Sequence, residues 1–128
     1  MPDGANPAPG YTRNPDHTVR FEKSDKRIVV KFADEVIADT QQALICKESG
    51  YQDAFYIPMT DTNLGVFRPT DHSSFCPYKG EASYWTIEIG GARSVNAAWS
   101  YDLPFDEAAE VIQHFAFYPD RVESIEVL

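Results

Sequence analysis

The chain has 128 residues, the length of one common domain, and 43% of them are hydrophobic. Eleven basic residues stand against twenty acidic ones, which gives a formal net charge of -9. Because nucleic acids attract proteins largely through positive charge, this balance argues against DNA and RNA as partners. The sequence shows neither a secretory signal nor an apolar run long enough to cross a bilayer, so we expect a cytoplasmic protein with no membrane partner.

The first sixteen residues differ in composition from the rest of the chain. MPDGANPAPGYTRNPD contains four prolines and two glycines, and it offers few apolar side chains for a core. Burial would not offset the entropy that such a segment loses on ordering. We therefore expect residues 1–16 to form a flexible N-terminal tail and residues 17–128 to form a single domain.

Short alternating segments predict strands through most of the chain. Residues 18–22 and 27–32 are expected to form a hairpin, and Ala33-Asp34 is expected to turn the chain into a further strand at 35–39. Additional strands are expected at residues 43–46, 54–57, 64–67, 114–118 and 122–127. This pattern predicts a mainly β fold of antiparallel sheets that form an open barrel.

The clearest local signal is a long hairpin centred on Gly90-Gly91, because glycine supplies the positive φ angles of a two-residue turn. Strand alternation then places Trp85 on the core face and Tyr84 with Trp99 on the opposite face. The expected pairs, counted outward from the turn, are Ile89 with Ala92, Glu88 with Arg93, Ile87 with Ser94, Thr86 with Val95, Trp85 with Asn96 and Tyr84 with Ala97.

The region after the hairpin predicts one helix and an acidic surface. Apolar residues at positions 105, 108, 109 and 112 have helical spacing, which predicts a short amphipathic α-helix near the C-terminus, beginning at Pro104. From residue 101 onward, seven acidic residues accompany a single basic one, Arg121. This excess predicts a solvated acidic face or, alternatively, a surface for a basic protein partner.

Side chains capable of chemistry concentrate between residues 72 and 101, on an expected loop at 72–79 and on the hairpin after it. Lys79 suits an anionic group of a ligand, and the aromatic side chains suit stacking on a ring. The plain alternative is a solvated lysine beside aromatic core residues. The predicted ligand-binding residues are His72, Cys76, Tyr78, Lys79, Tyr84, Trp99 and Tyr101.

Two other kinds of chemistry involve the thiols. Cys76 is a weak candidate for a catalytic nucleophile with His72 or Lys79 as its base, and the alternative is a small buried side chain. A zinc site would have to combine His72 and Cys76 with His114 and Cys46, which lack the paired spacing of zinc motifs. We therefore expect no metal and no other cofactor.

Several strings resemble the DUF427 family, a domain of unknown function. HSSFCPYKGEASYW and NAAWSY are the most specific of them, and the strand at 54–58 and the stretch at 115–118 agree. The resemblance covers nearly everything after the tail. It implies a β-tent fold similar to that of a guanine-nucleotide-exchange chaperone and of zinc-bearing methionine sulfoxide reductases. Those relatives commonly carry paired CxxC zinc knuckles, which this chain lacks.

The DUF427 family is sometimes grouped with nucleotidyltransferases, whose chemistry needs carboxylates for Mg²⁺ and a glycine-rich turn near the phosphates. Here the Gly-Gly pair belongs to the hairpin, so we do not adopt that function. The sequence predicts a small domain that binds, or binds and transforms, an anionic or ring-containing ligand. The alternatives are a non-catalytic protein-interaction module that uses the acidic C-terminal face, and a thiol-dependent enzyme that uses Cys76.

Overall fold

The computed structural model describes residues 6–128, and about half of these residues form ten β-strands. The strands are β1 (Val19–Lys23), β2 (Ile28–Phe32), β3 (Glu35–Thr40), β4 (Leu44–Glu48), β5 (Ala54–Pro58), β6 (Phe67–Cys76), β7 (Gly80–Ile89), β8 (Ala92–Tyr101), β9 (His114–Phe117) and β10 (Ser124–Val127). One α-helix, α1 (Gly10–Arg13), precedes them, and short 3₁₀ helices lie at Met59–Asp61, Leu64–Val66, Asp106–Val111 and Pro119–Arg121.

The strands form two sheets in which every pairing is antiparallel. Seven strands follow the order β1-β4-β5-β9-β8-β7-β6, and three follow the order β10-β2-β3. The prediction of a mainly β fold with antiparallel sheets is confirmed. The larger sheet ends at β1 and at β6, so it does not close into a barrel.

The hairpin expected from residues 18–22 and 27–32 is wrong, because β1 and β2 belong to different sheets. β1 pairs with β4, and β2 pairs with β3. Ser24 holds the polar segment between them in place. Its N–H donates to the Ala43 carbonyl, and its hydroxyl accepts from the N–H of Lys26. The turn at Ala33-Asp34 is confirmed, with positive φ angles of 52° and 64° that suit a primed hairpin turn.

The long hairpin forms as predicted near its turn and then departs from the predicted register. Ile89, Glu88 and Ile87 have their expected partners, but Trp85 opposes Ala98 and Tyr84 opposes Trp99. A bulge causes the change: Asn96 has a φ of 53°, and its N–H donates to the Thr86 hydroxyl instead of continuing the ladder. The partner of Trp85 thus moves by two residues, from 96 to 98, and an even shift leaves Trp85, Tyr84 and Trp99 on their predicted faces.

Two expected elements ahead of the hairpin are replaced. The strand expected at residues 64–67 is a 3₁₀ helix at Leu64–Val66, and the strand itself begins at Phe67. The loop expected at residues 72–79 is mostly strand, because β6 continues to Cys76 and only Pro77, Tyr78 and Lys79 form the turn. The side chains of this segment therefore alternate across a sheet instead of converging from a loop.

The amphipathic α-helix expected near the C-terminus is wrong. Asp106–Val111 forms 3₁₀ turns that are interrupted at Ala108, where φ is -119° and ψ is 18°. Ala108 and Val111 are buried, whereas Ala109 and Ile112 are exposed, so the apolar contact follows the three-residue period of a 3₁₀ helix. Among residues 6–128, no helix combines the length and the apolar character needed to cross a lipid bilayer.

The larger sheet buries a hydrophobic cluster on each face. One cluster lies between this sheet and the three-stranded sheet and includes Ile28, Ile57 and Phe115, with Trp85 packed edge-on against the Phe115 ring. The other lies on the opposite face, under the 3₁₀ helix at Asp106–Val111, and includes Tyr56 and Tyr84. The core position predicted for Trp85 is confirmed.

Residues 6–17 lie against the end of the domain that carries the turn at residues 77–79. The N–H of Gly10 donates to the Pro77 carbonyl at 2.9 Å, and the side chains of Asp106 and Glu107 accept from backbone N–H groups of Asn6 and Ala8. The flexible tail expected at residues 1–16 stays a prediction. Residues 1–5 of that tail lie outside the described residues.

Candidate functional site

A cavity opens where the pairing between β5 and β9 in the larger sheet is short. β5 and β9 pair through Ile57 and Pro58 alone, so residues 54–56 have no strand partner on that side among the described strands. A cavity of about 950 Å³ occupies this gap. Its lining comes from β4 and β5 on one side and from β8 and the turn after β6 on the other. The volume lies in the range of about 300–1,000 Å³ that is typical of small-molecule sites.

A buried ion pair forms the polar end of this cavity. The Nζ atom of Lys79 lies 2.6 Å from Oε1 of Glu48, and both side chains are only 10% exposed. His17 Nε2 lies 3.0 Å from Oε2 of the same carboxylate, and its ring stacks on Tyr78 with 4.0 Å between the ring centroids. Both carboxylate oxygens are therefore engaged, while Lys79 uses one of its three N–H donors.

The turn after β6 holds Lys79 in this position. Its backbone N–H donates to the Cys76 carbonyl, and its carbonyl accepts from the N–H of Phe105. Gly80 follows with a φ of 131°, and a Cβ atom there would lie 3.3 Å from the Leu103 carbonyl oxygen. A glycine is thus required where the turn passes under the chain at 103–105. Glu48 reaches the same place as the last residue of β4.

The surroundings of the polar end shift the pKa values of Lys79, Cys46 and Tyr101. Burial by itself would lower the pKa of Lys79, but the hydrogen bond to Glu48 and the nearby Tyr101 and thiols raise that pKa above its ordinary value. Burial raises the pKa of Cys46 to about 11, and it also raises the pKa of Tyr101. At neutral pH the ammonium of Lys79 is therefore protonated, the Cys46 thiol is protonated and the Tyr101 phenol is a neutral donor.

Three aromatic side chains form one wall. The Trp99 indole N–H donates to the Tyr56 hydroxyl at 3.3 Å, and the two rings meet edge-on. The ring of Tyr101 lies 6.5 Å from that of Tyr56 in a stacked orientation. Tyr101 is only 5% exposed, and the part of the chain from residue 6 onward offers its hydroxyl no hydrogen-bond partner. This hydroxyl is available to a molecule in the cavity.

The cavity brings together five of the seven ligand-binding residues predicted from the sequence. Cys76, Tyr78, Lys79, Trp99 and Tyr101 line it. His72 and Tyr84 lie outside the lining and contact each other, with 4.4 Å between their ring centroids. Tyr84 is buried, and its hydroxyl bonds to the hydroxyls of Ser74 and Tyr118. His72 is separated from the other predicted residues because it lies on β6 and not on the expected loop.

Sequence reasoning missed His17, Glu48 and Tyr56 and considered Cys46 only as a zinc ligand. Tyr56 and Cys46 lie on predicted strands that were short apolar runs, so the face on which each side chain lies depended on the unforeseen pairing of β4 with β1 and β5. Glu48 had no local signal, since an acidic residue at the end of a strand is common on surfaces. His17 stood at the boundary of the presumed tail.

The thiols and histidines do not assemble into a metal centre in the described part of the chain. Cys46 and Cys76 both line the cavity, but His114 lies elsewhere with its Nδ1 bonded to the Ile112 carbonyl. Residues 6–128 contain no group of three or more His, Cys, Asp or Glu side chains positioned to hold a metal ion.

A comparison with protein families agrees with the strings noted in the sequence. A family model described as a domain of unknown function, DUF427, matches residues 20–128. The chain belongs to the DUF427 family. The matched span of the DUF427 domain includes Glu48, Lys79 and the aromatic wall, whereas His17 precedes it. No curated protein matches the chain.

Proposed function

We propose that this DUF427 domain binds a small molecule that contains a ring, in the cavity between β5 and β8. The observation that carries the proposal is a pair of donor groups with remaining hydrogen-bonding capacity, the Lys79 ammonium and the Tyr101 hydroxyl, that line a cavity of about 950 Å³ with aromatic walls. Pockets for small molecules commonly combine an apolar lining with a few convergent polar groups.

The aromatic wall supports the ring. Tyr56, Trp99 and Tyr101 present edges and faces to the cavity, and offset or edge-on contacts with a ligand ring add to the gain from burial of apolar area. Trp99 also packs against Tyr118, with 4.6 Å between the ring centroids, so the indole is held in place before a ligand arrives.

The polar end supports an oriented ligand. Lys79 is fixed by Glu48 on one side and by the backbone of the turn on the other, and it retains two N–H groups for a ligand. The sequence suggested an anionic or ring-containing ligand with Lys79 as its polar contact. The ring-containing part of that prediction is retained here as our proposal, together with the β-tent arrangement implied by the family resemblance.

Thermal-shift screening of ring-containing compounds tests the proposal directly. We expect compounds that raise the Tm of the wild-type protein to lose this effect in Trp99→Leu and to lose part of it in Tyr101→Phe. Tyr84→Phe is the matched control, because it removes a phenol hydroxyl from the same face of the sheet outside the cavity lining. Equal losses in Tyr101→Phe and Tyr84→Phe would contradict the proposal, as would the absence of any stabilising compound.

Two alternatives have less support. For an interaction module, the acidic C-terminal face is partly occupied, since Asp106 and Glu107 bind backbone N–H groups of residues 6 and 8. For a thiol-dependent enzyme, Cys76 lines the cavity beside Lys79. An alkylation pH profile that gives Cys76 the pKa of a free thiol would exclude the second alternative. Binding of a basic protein that survives Trp99→Leu and fails after neutralisation of residues 106, 107 and 110 would favour the first.

A further inference from the structure

We propose that the ligand of this cavity is uncharged where it meets Lys79, and that it presents a carbonyl-type oxygen to Lys79 and Tyr101. This inference rests on the proposed small-molecule function and specifies its ligand class. It also departs from the simplest interpretation of a buried lysine, which is that the ammonium holds an anionic group of the ligand.

The charge of Lys79 is already balanced within the protein. Glu48 Oε1 lies 2.6 Å from the ammonium nitrogen, and the two side chains are equally buried. An anion placed against Lys79 would also lie a few ångströms from Glu48, where repulsion by the carboxylate offsets attraction by the ammonium. The anion would in addition lose its hydration without gaining a net counter-charge. The ion pair therefore selects against negatively charged ligands.

The same end of the cavity is rich in donors and poor in acceptors. Lys79 retains two N–H groups, and Tyr101 retains its hydroxyl, without acceptors among the described residues. Each oxygen of the Glu48 carboxylate already contacts one donor, Lys79 or His17. A ligand that enters the cavity removes these donors from water, so it must offer acceptors of its own, and a carbonyl oxygen can accept two hydrogen bonds at once. An amide or ketone oxygen of the ligand would satisfy both donors without adding charge.

The walls and the mouth of the cavity favour a flat apolar body attached to that oxygen. Trp99 and Tyr56 line the interior, and Phe75, which is 63% exposed, lies at the rim. The ligand class is therefore an aromatic or similarly flat ring that carries an uncharged carbonyl group.

Three probe molecules with the same ring test which ligand charge the cavity accepts. Benzamide is neutral, benzoate is an anion and benzylamine is a cation. Each is titrated into the ¹⁵N-labelled protein at pH 7.5 while the two tryptophan indole signals are followed. Trp99 lines the cavity, whereas Trp85 donates its indole N–H to Ser100 in the interior and provides an internal reference. We expect benzamide to shift the Trp99 signal and to bind at least about tenfold more tightly than benzoate or benzylamine.

A charge variant tests the reason for the preference. Glu48→Gln retains an oxygen for Lys79 but removes the balancing charge, so we expect the preference to reverse in favour of benzoate. Glu126→Gln is the matched control, because it removes an equal charge from an exposed pair with Lys31 and should leave the ratio unchanged. If Glu48→Gln does not fold, Tyr101→Phe takes its place, with a loss of benzamide affinity of roughly fivefold or more, as expected for one hydrogen bond.

The outcomes distinguish this inference from the proposed function. Tighter binding of benzoate or of benzylamine than of benzamide to the wild-type protein would overturn the uncharged ligand class and leave a small-molecule site in place. Failure of all three probes to move the Trp99 signal would overturn both. An unchanged ratio in Glu48→Gln would overturn the charge argument, and an unchanged benzamide affinity in Tyr101→Phe would overturn the donor argument.

Discussion

Replacement of Glu48 by glutamine tests whether the polar end of the cavity behaves as protein interior. Lys79 and Glu48 are each 10% exposed, and glutamine has nearly the shape of glutamate. The substitution therefore leaves the ammonium of Lys79 buried without a counter-charge while it preserves most of the local geometry. The ammonium then remains charged at the polar end without a counter-charge, at a cost that lowers the free energy of unfolding.

The expected loss is about 3 kcal/mol, at the lower end of the roughly 3–5 kcal/mol seen when one partner of a buried ion pair is removed. The lower end applies because the pair borders a cavity that water can enter. The control is again Glu126→Gln, since Lys31 and Glu126 are 36% and 39% exposed at a separation of 3.5 Å. Exposed pairs of this kind contribute about 0–1 kcal/mol, so the control should remain near the wild-type stability.

Urea denaturation monitored by circular dichroism measures both variants, with the midpoint and the m-value fitted separately. A double variant, Glu48→Gln with Lys79→Met, should regain part of the loss because no buried charge remains. If Glu48→Gln costs no more than Glu126→Gln, the ammonium is well solvated in the cavity. The argument for a low-dielectric polar end, and with it the selection against anionic ligands, would then be refuted.

Three further outcomes follow from local features. A Cβ atom on Gly10 would lie 2.5 Å from Cε1 of Tyr78, so Gly10→Ala should displace residues 6–17. This displacement should accelerate alkylation of Cys76, measured by mass spectrometry. An unchanged alkylation rate would contradict the close contact between Gly10 and Tyr78. Burial raises the pKa of the Cys46 thiol from 9.0 to about 11, so unfolding at high pH releases the thiol proton. The contribution of this thiol to the free energy of unfolding is therefore complete below pH 9 and is lost as the pH rises through 11. Urea midpoints should therefore fall more steeply with pH over this window in the wild type than in Cys46→Ala, and equal slopes would argue against the shift. Asn96 has a φ of 53°, and its side chain accepts a hydrogen bond from the Thr70 hydroxyl at 2.7 Å. Asn96→Val and Asn96→Gly both lose this bond, so Asn96→Val should lower the free energy of unfolding by about 1–2 kcal/mol more than Asn96→Gly, and equal losses would exclude backbone strain as the cause.

Local alternation in the sequence was sufficient to identify most strands and the faces of the long hairpin. The turn at Gly90-Gly91 fixed the first three pairs, and the bulge at Asn96 moved the later ones by an even number of residues. Because facing depends only on whether the shift is odd or even, Trp85 remained on the core face and Trp99 on the cavity face. The predicted facing of these two tryptophans was thus correct despite an incorrect register, whereas Tyr84, expected beside Trp99 at the ligand, is buried outside the cavity lining.

Pairing between distant segments could not be inferred in the same way. Residues 18–22 and 27–32 have the local pattern of a hairpin, but β1 pairs with β4 and leaves β2 to the other sheet. The choice depends on which pairing buries more apolar surface in the complete fold, and a local window does not contain that information. Glu48 entered the site only through this long-range pairing, so no local signal announced it.

The error in the C-terminal helix has a different origin. Positions 105, 108, 109 and 112 satisfy helical spacing, yet only Ala108 and Val111 become buried beneath the segment. Asp106 and Glu107, at the start of the segment, accept hydrogen bonds from the N–H groups of residues 6 and 8. Competition from the N-terminal segment for these carboxylates was invisible in a window of neighbouring residues.

The clearest change between sequence and structure concerns the meaning of Lys79. As an isolated cation in a cluster of reactive residues, it indicated an anion site. Its partner Glu48 lies thirty-one residues earlier in the chain and converts the same side chain into a neutral pair with donors to spare. The charge of a binding site is the sum over all groups that the fold assembles, whereas hydrogen-bonding capacity belongs to each group separately. For this reason the sequence could single out Lys79 as a candidate ligand contact, whereas the charge of the ligand that we propose for it follows only from the fold.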